Sequence, residues 1–205
     1  MKNWIYLIFL LAGPGICAQA PVASGKIPFQ VPRDSSVLLL PVFLQYEDIY
    51  TDNPLDPAKH KGRESGKIFD SLAIQNLTQA GIRAFMADPA DSLQGSLIAA
   101  GKNLLRPVTP AALRTSIAEV ARNARCRYVL ACSFRVKVGP GGYWDPNSGA
   151  IGSNASYARF HVRLLDPYTT DGKPCWTQDV ELRKLPQPDS KRFSEAVQLL
   201  FQLLK

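Results

Sequence analysis

Two histidines, four cysteines, no Cys-x-x-Cys spacing and no long apolar run set the first limits on this 205-residue chain. A membrane-spanning helix needs about 20 consecutive apolar residues, and the run Trp4-Ile5-Tyr6-Leu7-Ile8-Phe9-Leu10-Leu11-Ala12 falls well short, with no later segment coming close. Zinc lacks a donor set, because no pair of cysteines or histidines stands at ligand spacing. The net charge is +7, yet the basic residues are scattered and no basic tract alternates with aromatics, so a nucleic-acid surface is disfavoured. A mildly cationic face suits anionic lipid, peptidoglycan or an acidic partner, and the same excess also serves solubility alone. Three cysteines follow residue 20, namely Cys126, Cys132 and Cys175, an odd number far below the density of a disulfide-built scaffold.

What the chain does have begins at its amino terminus. Lys2, the apolar run 4–12, a Gly13-Pro14-Gly15 break and the small-residue stretch Cys17-Ala18-Gln19-Ala20 follow the order of a secretory signal peptide over residues 1–20. Two processing readings compete. Cleavage after Ala18 or Ala20 fits the Ala-x-Ala spacing, whereas Cys17 as a lipid acceptor has Ile16, not a small residue, directly before it. Either way the expected location is the periplasm or the outer membrane, with peripheral membrane association if the lipid is added. About 185 residues then remain, enough for one domain with a real core.

Residues 21–34 carry three prolines and no helical period, and read as an extended linker before a single domain over 35–205. The run 37–43, Val-Leu-Leu-Leu-Pro-Val-Phe, has the continuous apolarity of a strand buried on both faces. Residues 44–60, with Pro54 and Pro57, read as a surface loop. From Ser65 to Ala84, Ile68, Leu72, Ile74, Leu77 and Ile82 recur at helical steps, with a helix end at Gly81. A second loop, 86–110, holds a short helix at 93–105; Thr109 and Pro110 then open another helix as cap and first position. Strands follow at 127–138, 157–165 and 175–183, the last two joined by the turn-rich segment 166–174, and Phe193, Val197, Leu200, Phe201 and Leu204 mark a final amphipathic helix. By strand parity Cys132 shares a face with Tyr128, Leu130 and Phe134, and Cys175 with Thr177, Asp179 and Glu181, so a bridge between them needs a bulge or a register slip.

Four places carry a resemblance: Leu38-Leu39-Leu40-Pro41-Val42-Phe43, the passage Ala124-Arg125-Cys126-Arg127-Tyr128-Val129-Leu130-Ala131-Cys132, Arg163-Leu164-Leu165-Asp166, and Gly172-Lys173-Pro174-Cys175-Trp176. In order and spacing the chain resembles bacterial envelope proteins with the fold of the TolB amino-terminal domain, CsgG and LpoB. Cys132 stands where that family often has glycine, and the turn here is longer. The resemblance implies an α/β single domain, a mixed central β-sheet flanked by helices and similar to an anticodon-binding domain. It also implies a non-catalytic accessory role, docking on another envelope protein. Neither 86–110 nor 139–156 offers the alternating apolar strands of about 9 to 11 residues that a CsgG-like pore inserts in the membrane.

Catalytic chemistry has few centres. A Cys132/His161 hydrolase fails on parity, with the cysteine facing the core and the histidine facing away. His60 reads as a solvated loop residue and Trp176 as core. Lys61-Gly62-Arg63-Glu64-Ser65-Gly66-Lys67 departs from a phosphate-binding loop, because three residues separate its glycines and Ile68 stands where Ser or Thr would hold magnesium. Lys61, Arg63 and Lys67 could still meet a phosphate or carboxylate at a helix amino terminus, and a solvated loop is the plainer reading. Tyr143 and Trp144, with Asp145 beside them on the Gly/Pro-rich tip 139–149, are the preferred partner-docking residues; the alternative is a loop folded over the sheet edge. No catalytic residue, cofactor or metal ligand is assigned. Two further roles stay open: a subunit of a homo-oligomeric envelope assembly, and a secreted hydrolase with an unrecognised site.

Overall fold

The computed structural model describes residues 22–24, 28–32, 34–48, 57–138, 157–169, 171–182 and 190–204. Seven strands lie among the described residues: β1 (Val22–Ser24), β2 (Ser36–Leu39), β3 (Phe43–Asp48), β4 (Arg83–Met86), β5 (Tyr128–Val138), β6 (Tyr157–Leu165) and β7 (Trp176–Leu182). Five helices accompany them: α1 (Pro57–Gln79), α2 (Ser92–Ala99), α3 (Gly101–Leu104), α4 (Ala111–Asn123) and α5 (Lys191–Phe201). The strands form one mixed sheet in the order β1-β7-β6-β5-β2-β4, with β3 also paired to β5. β5, β6, β7 and β1 are antiparallel neighbours, while β2 and β3 run parallel to β5, and β4 parallel to β2. The expected α/β class, a mixed central sheet flanked by helices, is therefore the observed one.

Helices pack on both faces, because the central strands are apolar on both sides. Under α1 and α5, Phe69, Phe134, Phe160 and Phe193 form the densest part of the first core. The Phe134 and Phe160 rings stack with centroids 4.6 Å apart, and Phe193 meets Phe160 edge-on at 5.4 Å. Under α2 to α4, Leu38, Leu40, Leu97, Leu104, Ile117 and Val129 build a second, smaller core.

The predicted continuous strand 37–43 is instead broken at Leu40-Pro41-Val42. Leu39 pairs with Leu130 and Phe43 with Ser133, so four steps along one strand match three along β5. The extra residue reverses the alternation: Val37 and Leu39 face the first core, and so do Val42 and Leu44. Pro41 has no N–H for a ladder, which locates the break. Instead of a surface loop from residue 44, β3 continues along β5 to Asp48 and α1 begins at Pro57.

Other boundaries also shift. Residues 22–24, expected within the linker, pair with β7, and Phe29 bridges to Leu204. The helix read over 65–84 ends at Gln79, and Arg83–Met86 is the edge strand β4. Gly81 does end it, at φ +79°, with Ile82 N–H donating to the Leu77 carbonyl. The segment read as a loop carrying one short helix holds α2 and α3. Asp91 caps α2 through Leu93 and Gln94 N–H. Helix α4 starts at Ala111, with Pro110 at the cap position and no side-chain cap, so Thr109 does not play the role expected of it. That helix ends as α1 does: Arg125 takes the left-handed conformation (φ 52°), and Cys126 N–H donates to the Ala121 carbonyl. Each of these tight ends passes the chain straight into a parallel strand. Among the described residues no helix is long and apolar enough to cross a membrane.

Candidate functional site

Strand parity places Ser133 of β5, His161 of β6 and Asp179 of β7 side by side, away from the aromatic core. His161 Nδ1 lies 2.8 Å from Asp179 Oδ1, and Arg163 Nε donates to His161 Nε2 at 2.7 Å. An arginine Nε–H can only donate, so Nε2 accepts, and Nδ1 carries the ring proton that is given to Asp179. Arg163 is only 8% exposed, and burial lowers its pKa from the ordinary guanidinium range while Asp179 acts in the opposite direction. One rung further, Arg159 Nη2 meets Glu181 Oε2 at 2.6 Å, both half-exposed.

The line-up has the residue types of a nucleophile, a base and an orienting acid. Its hydrogen bonds are those of a fixed polar network. The nitrogen that would take a proton from Ser133 is already engaged by Arg163, so His161 has no free lone pair for that step in this arrangement. Cys132 lies on the core face and His161 on the other, as the parity predicts. His161 is half-buried in its network, not a plain surface residue.

A second feature sits where β2 gives way to β3. An apolar cavity of about 240 Å³ opens there, lined by Leu40, Pro41, Val42, Phe43, Ile98 and Cys132 among others. Asp70 of α1 holds one of these lining residues: its Oδ1 accepts from Val42 N–H at 2.9 Å, taking up a donor freed by the strand break. Burial pushes the Asp70 carboxyl up from 3.8 to about 6, against the opposing effect of that hydrogen bond. Cys132 is held well above its ordinary range by burial and then by Asp70, so it is a neutral thiol.

The three described cysteines are free. Cys132 and Cys175 are not bridged. Cys175 precedes β7, and its Sγ donates to the Leu164 carbonyl at 3.2 Å; burial, then Asp166, pushes it up to about 12. Trp176 is core, 5% exposed. Lys61, Arg63 and Lys67 lie inside α1, at least a turn beyond its first residue Pro57, so the free N–H groups of a helix start are not theirs. His60 likewise belongs to α1 and not to a loop. Tyr143, Trp144, Asp145 and Cys17 lie outside the described residues.

Asp70, Arg163 and Asp179 were missed as site residues. Pairing Leu164 with Trp176 across the turn already sets His161 opposite Asp179, so the hairpin register was the available signal. Nothing local marks Asp70, whose partner is 28 residues away.

No protein-family model matches the chain, and no curated protein is similar to it. Among solved structures, the PelC dodecamer from Paraburkholderia phytofirmans is similar at 18% identity, covering 90% of this chain and 97% of that one, with a TM-score of 0.48. Lipoprotein GNA1162 from Neisseria meningitidis is 14% identical over 77% of this chain and 85% of its own, with a TM-score of 0.36. The LpoB C-terminal domain from Escherichia coli is 18% identical over 72% of this chain and 82% of its own, with a TM-score of 0.33.

Proposed function

We propose that the chain is a non-catalytic, exported accessory protein of the bacterial envelope that docks on a partner envelope protein through the segment carrying Tyr143, Trp144 and Asp145. The observation that carries this reading is the ladder beneath that segment. β5 and β6 stay paired residue by residue from Val129↔Leu165 to Lys137↔Tyr157. The chain therefore enters and leaves this segment from a fixed two-stranded base, and aromatic side chains such as Tyr143 and Trp144 are the residue types that anchor in a partner's pocket. The signal-peptide order of residues 1–20 supports export, and the engaged Nε2 of His161 gives a hydrolase no support.

The test is a Tyr143→Ala/Trp144→Ala double variant of the mature protein, compared with the parent in cross-linking pull-downs from envelope extracts. Loss of a partner with unchanged thermal stability is the expected result. Retention of every partner at parental yield refutes the docking segment. Mass spectrometry of the mature amino terminus distinguishes a lipid on Cys17 from cleavage after Ala18 or Ala20.

A second reading, a subunit of a homo-oligomer, is favoured by the sheet edge. β4 is an edge strand with Phe85 52% and Met86 39% exposed, and no described strand lies on the far side of β3. Unpaired edges of this kind recruit further strands. Light scattering of the mature protein tests it: a discrete multimer that Phe85→Lys dissociates supports assembly, and a monomer rejects it.

A further inference from the structure

At the end of the sheet opposite the 139–156 connection, an opening of about 420 Å³ lies between the lead-in segment and the β6–β7 turn. Phe29, Pro28, Pro107, Pro174 and Trp176 form apolar walls, and Lys173 stands among them with no acidic residue among the described residues of the lining. Two flanking carboxylates are already in use. Asp166 binds Arg127 at 2.7 Å, and Asp171 Oδ1 accepts the main-chain N–H of Lys173. Cys175 contributes a neutral thiol committed to the Leu164 carbonyl. The walls are pinned from several elements: Phe29 N–H donates to Leu203, Thr109 N–H to Gly172, and Cys175 N–H to Leu164. Phe29 also packs edge-on against Tyr128.

One of the lining side chains carries a buried polar atom without a partner. Trp176 Nε1 is buried and meets no acceptor. A buried donor without an acceptor is destabilising, and an incoming acceptor would relieve it.

We infer that this opening is a binding site for an apolar carboxylate, an aromatic or prolyl body whose carboxylate pairs with Lys173 and accepts from the Trp176 indole N–H. The volume suits a small-molecule-sized body. The lining offers donors and a cation but no anion, so an acid is favoured over its amide. The aromatic and proline walls match flat or ring-shaped apolar groups. This site does not rest on the docking role proposed for Tyr143, Trp144 and Asp145.

The probe is N-acetyl-prolyl-phenylalanine with a free carboxylate, titrated into uniformly 15N-labelled mature protein alongside its carboxamide. The Trp176 indole N–H resonance, assigned by its loss in Trp176→Phe, is followed with the calorimetric Kd. The expected result is saturable binding at about 1 mM or tighter, a moving indole resonance, and at least about tenfold weaker binding of the amide and of Lys173→Ala. Lys173 is an exposed residue, so that variant keeps the fold even if Trp176→Phe does not. Phenylacetate is a third arm. Binding as tight as the peptide supports the site with free aromatic acids as its ligands, and weaker binding supports it with peptide ends. Equal affinity for acid and amide, or a stationary indole resonance at saturation, overturns the proposal.

Discussion

Replacing Asp70 with asparagine removes an ionisation that the folded protein resists and leaves an amide oxygen able to accept from Val42 N–H. The folded carboxyl titrates at about 6, against an ordinary 3.8. Between those values the folded state holds a proton that the unfolded chain has released, so the stabilisation is complete below pH 3.8 and is lost as pH rises through 6. A shift of about two units corresponds to about 3 kcal/mol at 1.36 kcal/mol per unit. The carboxyl keeps solvent contact, and screening brings this to about 1.5 kcal/mol. Asp70→Asn is therefore expected to exceed the parent by about 1.5 kcal/mol at about pH 7.5 and to match it near pH 4. Urea unfolding of both proteins at the two pH values reads the difference directly, since every other carboxylate cancels in the comparison. A parent-to-variant difference that does not change with pH, or one that grows as the solution is acidified, refutes the reasoning.

Phe160→Ala removes the ring that stacks on Phe134 and meets Phe69 at 5.5 Å, and should cost about 3 to 5 kcal/mol in chemical denaturation. Arg125→Gly relieves a left-handed residue at the end of α4 and is expected to stabilise by about 0.5 to 1 kcal/mol, read as a raised thermal midpoint; an unchanged or lower midpoint contradicts the strain. Cys126 and Cys132 are buried and held as neutral thiols, so Ellman's reagent at neutral pH should label them only after denaturant is added. Fast labelling of either in the native protein would show that burial does not protect them.

Where the chain alternates or turns, its structure was readable. β5, β6 and β7 fall within a residue of their expected limits, because Phe160/Val162/Leu164 alternate and the Asp166–Gly172 turn carries its own chemistry, and α5 holds Phe193 to Phe201 but stops short of Leu204. β3 and β4 were not readable. Gln45-Tyr46-Glu47-Asp48 lacks an apolar period, and Arg83–Met86 is a short edge strand with most of its side chains exposed. The first turns of α1, Pro57 through Glu64, are polar and give no periodic signal. Of the polar network, the His161–Asp179 pair follows from hairpin register, whereas the direction of the Arg163 guanidinium requires coordinates.

By itself the amino-acid order determined an α/β domain with both sheet faces covered, and the face on which each residue of β5 to β7 lies. Those properties depend on neighbours within a few residues, through alternation, helical spacing and turn chemistry. The tertiary structure alone decided the break at Pro41, the coupling of Asp70 to Val42, and the meeting of Phe29 with Trp176 around one opening. Each of these joins segments tens of residues apart, and their distance is set by how whole elements pack, which no local pattern encodes.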